Sequence, residues 1–256
     1  MLGLRTIGCL PSTQPDHMAP ESLKESVAPV KSEAGPLPAP VKATQPARVV
    51  DFPYPSSSFY ATRGKRIVST LGASGLILAL SPVLLTTFLL VAADQKSVRA
   101  TIFRQERVGM QRKSFMIYKF RSMVVDAEAD GPQFSNGKGD ARITRLGRFI
   151  RKFRLDELPQ LFNVLKGDMA LIGPRPERPV FHEKIEKQVP AFGRRLEVRP
   201  GITGLAQVSN GYVGSDIKGH QAKLDADLRY IRDMSVWNDV KIAAKTVGCV
   251  VRGEGI

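Results

Sequence analysis

The sequence predicts an α+β protein, mainly helical, with a re-entrant membrane helix, a small β element and amphipathic interfacial helices. Three observations carry this. Residues 67–93 hold no charged side chain, the region after Asp94 alternates short β-like runs with amphipathic helices, and residues 1–60 show no sustained hydrophobic period. The organisation that follows is a Pro-rich tail over 1–60, a membrane helix over 61–94 and a folded domain over 95–256. Hydrophobic residues make up 43% of the 256, enough to bury a core, so a wholly disordered chain is excluded.

The tail holds ten of the 18 prolines and balances five basic against five acidic side chains, a composition that favours disorder over packing. A lipid-modified Cys9 would need an apolar stretch of roughly 7–15 residues before it, and residues 1–8 lack one.

The uncharged run 67–93 exceeds the roughly 18 residues that mark a membrane segment. Pro82 lies near its middle and has no backbone N–H, so the helix should break at Ser81-Pro82 and leave a carbonyl near residue 78 for the Ser81 hydroxyl. Basic residues flank both ends: Arg63, Lys65 and Arg66 before, Lys96, Arg99, Arg104 and Arg107 after. A spanning helix carries its basic bias on one side. A helix that enters, bends and returns to the same face satisfies both observations, and a single span stays open as the alternative.

Residues 114–121 read as a strand ending in a basic tip, and 126–141 as a loop. Arg142, Arg145, Arg148, Arg151 and Arg154 recur every third residue, with Leu146, Phe149, Ile150 and Phe153 between them and no acid from 142 to 154. This predicts a helix with a basic ribbon and an apolar face, its charge left for lipid headgroups or a diphosphate. Pro159 fits only a first turn, which starts the next helix near Asp156 and makes that residue a candidate N-cap held ionised by the helix dipole. Gly167 suits the position just past its end. An adjacent Asp156-Glu157 pair after a run of arginines can supply a nucleophile toward phosphorus and a partner for metal or proton. Gly173-Pro-Arg-Pro-Glu177 holds Arg175 between prolines, and Arg199-Pro-Gly-Ile-Thr-Gly204 is a second Arg/Gly turn, both suited to phosphate oxygens.

The cysteines Cys9 and Cys249 and the scattered His17, His182 and His220 exclude a disulfide framework and a Cys- or His-based metal site. The formal net charge is +14. Residues 61–154 carry 18 basic and six acidic side chains, residues 155–256 carry 15 and 13, and the tail contributes nothing. The excess is therefore a local zone leading to Asp156. No aromatic interleaving accompanies it, so nucleic acid is not an expected partner.

In order and spacing, Lys119-Phe-Arg-Ser-Met123, Arg142-Ile-Thr144, Leu155-Asp-Glu-Leu-Pro-Gln-Leu161, Asn163-Val-Leu-Lys-Gly-Asp168, Gly173-Pro-Arg-Pro176 and Arg199-Pro-Gly-Ile-Thr-Gly204 resemble the bacterial sugar transferase family, monotopic phosphoglycosyl transferases acting on polyprenol phosphate. The resemblance covers about 63–256. It implies an enzyme of the bacterial cytoplasmic (inner) membrane, facing the cytoplasm, that starts assembly of an exopolysaccharide or other surface glycan. It further implies that Asp156 attacks the β-phosphate of a UDP-sugar, UMP leaves, and undecaprenyl phosphate takes the phosphosugar from the aspartyl enzyme with Mg²⁺ required. Asp156 is then the nucleophile and metal ligand, with Glu157 its partner. Lys119, Arg121, Arg142, Arg145, Arg175, Arg199 and Thr203 are the expected substrate contacts, and Ser81-Pro82 matches the family's helix break.

Three departures stand out. Ser69 stands where the family has an acid after Lys65-Arg66, Leu205 where many members have Trp, and 209–212 where many have Gly-Arg-Asn. Trp237 sits in an amphipathic stretch and reads equally as an interfacial or a core residue. The alternative function is a non-catalytic membrane adaptor binding anionic lipid or nucleic acid through the arginine ribbon. The sugar, the oligomeric state and the role of the tail are not specified by these residues.

Overall fold

The computed structural model describes residues 59–129, 131–133, 139–209 and 217–253. The expectations for the tail as far as residue 58, and for 210–212, lie outside them.

One π-type turn, Tyr60–Gly64, runs into helix α1 (Lys65–Ala79), and α2 (Ser81–Asp94) follows at a bend of 67°. Pro82 is in the first turn of α2 and offers no N–H to Leu78 O, and the Ser81 hydroxyl donates there instead at 2.8 Å. The residue that leaves helical geometry is Leu80 (φ −96°, ψ 9°), one position before the expected break. No single helix among the described residues is long and apolar enough to cross a membrane; the bent pair meets that measure only together. Ala73 packs under α1 with Leu161, Val164 and Met169, and Val91 under α2 with Phe120 and Ile150, while Leu71, Leu78, Leu85 and Leu89 are exposed.

Strands β1 (Ile102–Val108) and β2 (Ser114–Phe120) form an antiparallel hairpin with Phe103 opposite Lys119 and Arg107 opposite Phe115. Helices α3 (Arg145–Lys152) and α4 (Gln160–Lys166) are joined by a 3₁₀ turn, Leu155–Glu157. A short parallel pair, β3 (Ala170–Ile172) and β4 (Gly201–Thr203), brackets α5 (Pro179–Gln188) and a 3₁₀ segment (Pro190–Glu197). Helices α6 (Leu205–Ser209), α7 (Ile217–Arg232) and α8 (Val236–Val251) complete the described chain. Its largest core gathers Phe192, Ile185, Leu224, Leu228, Ile231 and Ile242, each such side chain contributing about 1.5–3 kcal/mol on burial.

Strand β2 and the glycine cap agree with the sequence reading; Gly167 ends α4 in the left-handed region at φ 96°. The arginine helix is shorter than its spacing predicts. Thr144 starts it, its hydroxyl accepting from Gly147 N at 2.9 Å, and Arg154 ends it in the left-handed region at φ 55°. Arg142 and Arg154 therefore lie outside it, and Phe149 on its expected apolar side is exposed. Asp156 does not cap α4: it lies within the preceding 3₁₀ turn, and Pro159 holds the cap position. Trp237 is 66% exposed beneath Lys241, so core packing is ruled out for it.

Ser69 is buried and its hydroxyl accepts from Leu171 N at 3.4 Å. Its basic neighbours are served from elsewhere. Lys65 pairs with Asp239 of α8 at 2.6 Å, and Tyr60 and Tyr230 donate to the same carboxylate. Arg66 donates to Leu165 O at 2.9 Å and to Val164 O, at the C-terminal end of α4, where cations are favoured.

Candidate active site

Three elements converge on the acidic pair. Strand β2 brings Lys119, the 3₁₀ turn presents Asp156 and Glu157, and the proline-flanked loop after β3 brings Arg175. The strand is set against the turn by Asn163, fully buried on α4, whose amide accepts from Tyr118 N at 3.0 Å and donates to Met116 O at 2.7 Å. This side chain stands in for a neighbouring strand along the edge of β2, satisfying backbone groups that burial would otherwise leave unpaired.

Lys119 Nζ donates to Glu157 Oε1 at 3.0 Å, and Arg175 grips the same carboxylate with two nitrogens, Nη1 at 3.2 Å from Oε2 and Nη2 on Oε1. Arg154 Nη1 lies 3.9 Å from Oε2. Burial works against the charge of Glu157, but Arg175 and Lys119 overcome it and hold this carboxyl well below the usual range. Asp156 behaves oppositely. It is 6% exposed and accepts a hydrogen bond from no described residue. Burial first, and the Glu157 charge second, push it up to about 6 against the pull of Lys119, Arg151 and Arg175. The expected helix dipole does not decide its state, because Asp156 is not at the start of α4 and desolvation outweighs it. Burial also pushes the Lys119 ammonium down, with Glu157 opposing.

Lys119, Arg154 and Arg175 lie on Glu157 and the charge of Arg151 acts on Asp156, so four cations attend two carboxylates, while Arg107, bound to Pro176 O, faces mainly Glu177. The site carries a surplus of positive charge in a desolvated setting, an arrangement suited to a multiply charged anion. Two buried groups near Asp156 lack partners among the described residues: Arg151 Nη1, and both amide atoms of Gln160, four residues on from Asp156. Buried polar atoms of this kind are costly unless a ligand or water serves them.

Among the expected substrate contacts, only Lys119 and Arg175 meet the acidic pair. Arg121 donates to Ala100 O at 2.7 Å and lies over Phe103. Arg142 pairs with Asp140 at 2.7 Å and donates to Ala127 O. Arg199 donates to Gly167 O at 3.2 Å, and the Thr203 hydroxyl is shared with Thr246 of α8 at 2.9 Å. Arg145 is exposed in the first turn of α3. Conversely, Arg107, Arg151 and Arg154 were not among those contacts. The sequence marks Arg107 only as a flank of the membrane segment, and the three-residue repeat gives no means of choosing among the ribbon arginines.

A family model described as bacterial sugar transferase matches residues 60–253. The chain is 45% identical over 191 residues to a UDP-N-acetylgalactosamine-undecaprenyl-phosphate N-acetylgalactosaminephosphotransferase of Aeromonas hydrophila, covering 75% of this chain and 44% of the relative. It is 40% identical over 185 residues to a UDP-glucose:undecaprenyl-phosphate glucose-1-phosphate transferase of Klebsiella pneumoniae, covering 72% and 39%. A protein of Caulobacter vibrioides with that same name is 38% identical over 185 residues, covering 72% and 68%. The chain thus spans less than half the length of the first two relatives.

Proposed function

The chain belongs to the bacterial sugar transferase family, and on that premise we propose that it moves a sugar-1-phosphate from a UDP-sugar to undecaprenyl phosphate through an aspartyl-phosphosugar enzyme. The observation that carries this reading is the Asp156 carboxylate: buried, engaged by no described hydrogen-bond donor, and surrounded by the cations that hold Glu157. At neutral pH a group raised to about 6 is ionised yet more basic than an ordinary aspartate, which favours nucleophilic attack.

An Asp156 carboxylate oxygen attacks the β-phosphorus, the bond from that phosphorus to the bridging oxygen breaks, and UMP departs. Lys119, Arg175 and Arg151 neutralise the phosphoryl oxygens as charge shifts to the leaving group. An oxygen of undecaprenyl phosphate then attacks the same phosphorus. The aspartyl–phosphorus bond breaks, Asp156 is freed, and polyprenyl-diphosphate sugar is the product.

Mg²⁺ fits these residues. It is commonly held by one or two carboxylates plus substrate phosphates. No cluster of three His, Cys, Asp or Glu side chains exists among the described residues, so Asp156 would hold it together with the diphosphate. Bound there, it would supply charge neutralisation on the phosphoryl oxygens.

A lipid acceptor requires access to a bilayer. The bend of 67°, the exposed leucines of α1 and α2 and exposed Trp237 support a chain that dips into one leaflet from the cytoplasmic face of a bacterial inner membrane. Anionic headgroups suit exposed Arg145, Arg148 and Lys152 of α3. The relatives' names differ in the sugar they act on, so the sugar is left to experiment.

The test is UMP release on mixing the membrane-bound protein with undecaprenyl phosphate, Mg²⁺ and a panel of UDP-sugars. One sugar should give turnover, and Asp156→Asn should remove it while the protein stays folded and membrane-bound. Wild-type rates from Asp156→Asn overturn the nucleophile assignment. No UMP from any sugar, with salt-sensitive nucleic-acid binding instead, favours a non-catalytic adaptor.

A further inference from the structure

The loop carrying Arg175 cannot brace itself. Pro174 and Pro176 supply no backbone N–H, so residues 174–177 are held through their four carbonyls, each of which accepts from another element. Gly201 N donates to Pro174 O at 2.9 Å and Val108 N to Glu177 O at 2.9 Å. Two guanidinium groups take the carbonyls between: Arg195 Nη2 donates to Arg175 O at 2.7 Å, and Arg107 Nη1 to Pro176 O at 3.0 Å.

Arg195 is itself fixed. It is 2% exposed, its Nη2 lies 2.7 Å from Asp227 Oδ2, its Nη1 lies 3.6 Å from Glu177 Oε1, and its guanidinium is 4.6 Å from the Phe192 ring centroid. Asp227 is equally buried on α7, and Lys223, one turn earlier, holds Glu177. The single nitrogen Nη2 therefore joins a buried acid of α7 to the backbone of the residue whose side chain grips Glu157.

We infer that the Arg195–Asp227 pair is a positioning device for Arg175, setting where its guanidinium meets the diphosphate although neither member reaches the acidic pair. This deepens the proposed function, since it rests on Arg175 contacting the UDP-sugar diphosphate. A lysine at 195 keeps the charge but lacks the planar guanidinium whose second nitrogen near Glu177 and face over Phe192 fix where Nη2 lies. Its effect should therefore pass through Arg175.

The experiment is a double-mutant cycle on the full chain in detergent. UDP affinity is measured by titration calorimetry for wild type, Arg175→Lys, Arg195→Lys and the double variant, with melting temperature and wild-type UMP release recorded alongside. Each single change should weaken UDP binding by about tenfold, and the double variant by little more than either, because residues in one network couple. Asp227→Asn should reproduce the Arg195→Lys loss and serves in its place if that variant fails to fold.

Losses that multiply in the double variant, or unchanged UDP affinity in Arg195→Lys whatever its melting temperature, overturn the positioning role while leaving the reaction intact. A wild type that binds UDP with the expected coupling but releases no UMP from any UDP-sugar overturns the reaction and keeps the positioning. A wild type that does not bind UDP overturns the positioning as well.

Discussion

Lys119 Nζ donates to Glu157 Oε1 at 3.0 Å across 38 residues of chain, and the two side chains expose only 17% and 9% of their surface. With Arg175 on the same carboxylate, this contact divides two adjacent acids into different roles. Glu157 is the anchor that organises the cations, and Asp156 beside it is left with a free, less acidic carboxylate.

That division predicts the pH profile. If ionised Asp156 attacks phosphorus, kcat/KM should fall on acidification with a slope of one, its midpoint near 6 for the metal-free carboxyl and moving down as Mg²⁺ is raised. Folding stability carries the same signature with its sign worked through. The folded-state carboxyl is raised from 3.8 to about 6, so between these values the folded chain keeps a proton that the unfolded chain has lost. Stability then declines as pH rises through that window, and Asp156→Asn should flatten this part of a melting-temperature-against-pH curve. A wild-type melting-temperature curve without Mg²⁺ that matches that of Asp156→Asn between about 4 and 6 would contradict the buried environment.

Glu157→Gln removes the acid that Lys119, Arg154 and Arg175 share, and the charge that helps raise Asp156. The acid limb should move to lower pH because one repulsive charge has gone and the cations are released toward Asp156. Turnover should drop by about 10²-fold or more as the cations lose their anchor. A pH–rate profile of the variant reads both effects, and a limb that stays where the wild type has it would mean that Glu157 does not act on Asp156.

Asp239→Asn tests the junction of α1 with α8. It leaves buried Lys65 without its ion-pair partner while Tyr60 and Tyr230 face an amide. Loss of one member of a buried pair costs about 3–5 kcal/mol, so a large fall in melting temperature is expected. A companion variant replacing both partners, Lys65→Met with Asp239→Leu, should recover part of it.

The bend at Leu80 predicts that both ends of the α1–α2 pair face the same side of the membrane. In a background with Cys9→Ser and Cys249→Ser, single cysteines at Arg63 and Lys96 should react with a membrane-impermeant maleimide only after the cytoplasmic face is opened. Labelling of one from each side would make the segment a span.

Much of this was legible in the residues. The Ser81 hydroxyl on Leu78 O follows from the missing N–H of a proline and needs no tertiary information. The Gly167 cap and strand β2 are equally local. The sequence pattern starts α4 at Asp156 and the structure starts it at Gln160, because a 3₁₀ turn and an α-helix share their short-range pattern and only the packing of 155–166 separates them.

The sequence by itself determined the chemical inventory: a helix that must break near Pro82, an Asp-Glu pair, an arginine pinned between prolines, and the motif order that marks the family. Tertiary structure decided which cations attend the pair. A guanidinium on a long side chain takes whichever carbonyl or carboxylate folding brings near, so Arg107, Arg121, Arg142 and Arg199 are spent on backbone and Asp140, while Arg151 and Arg154 gather at the site. It also decided that Asp156 is the less acidic member, because desolvation and a neighbour's charge are properties of the folded surroundings and not of the residue.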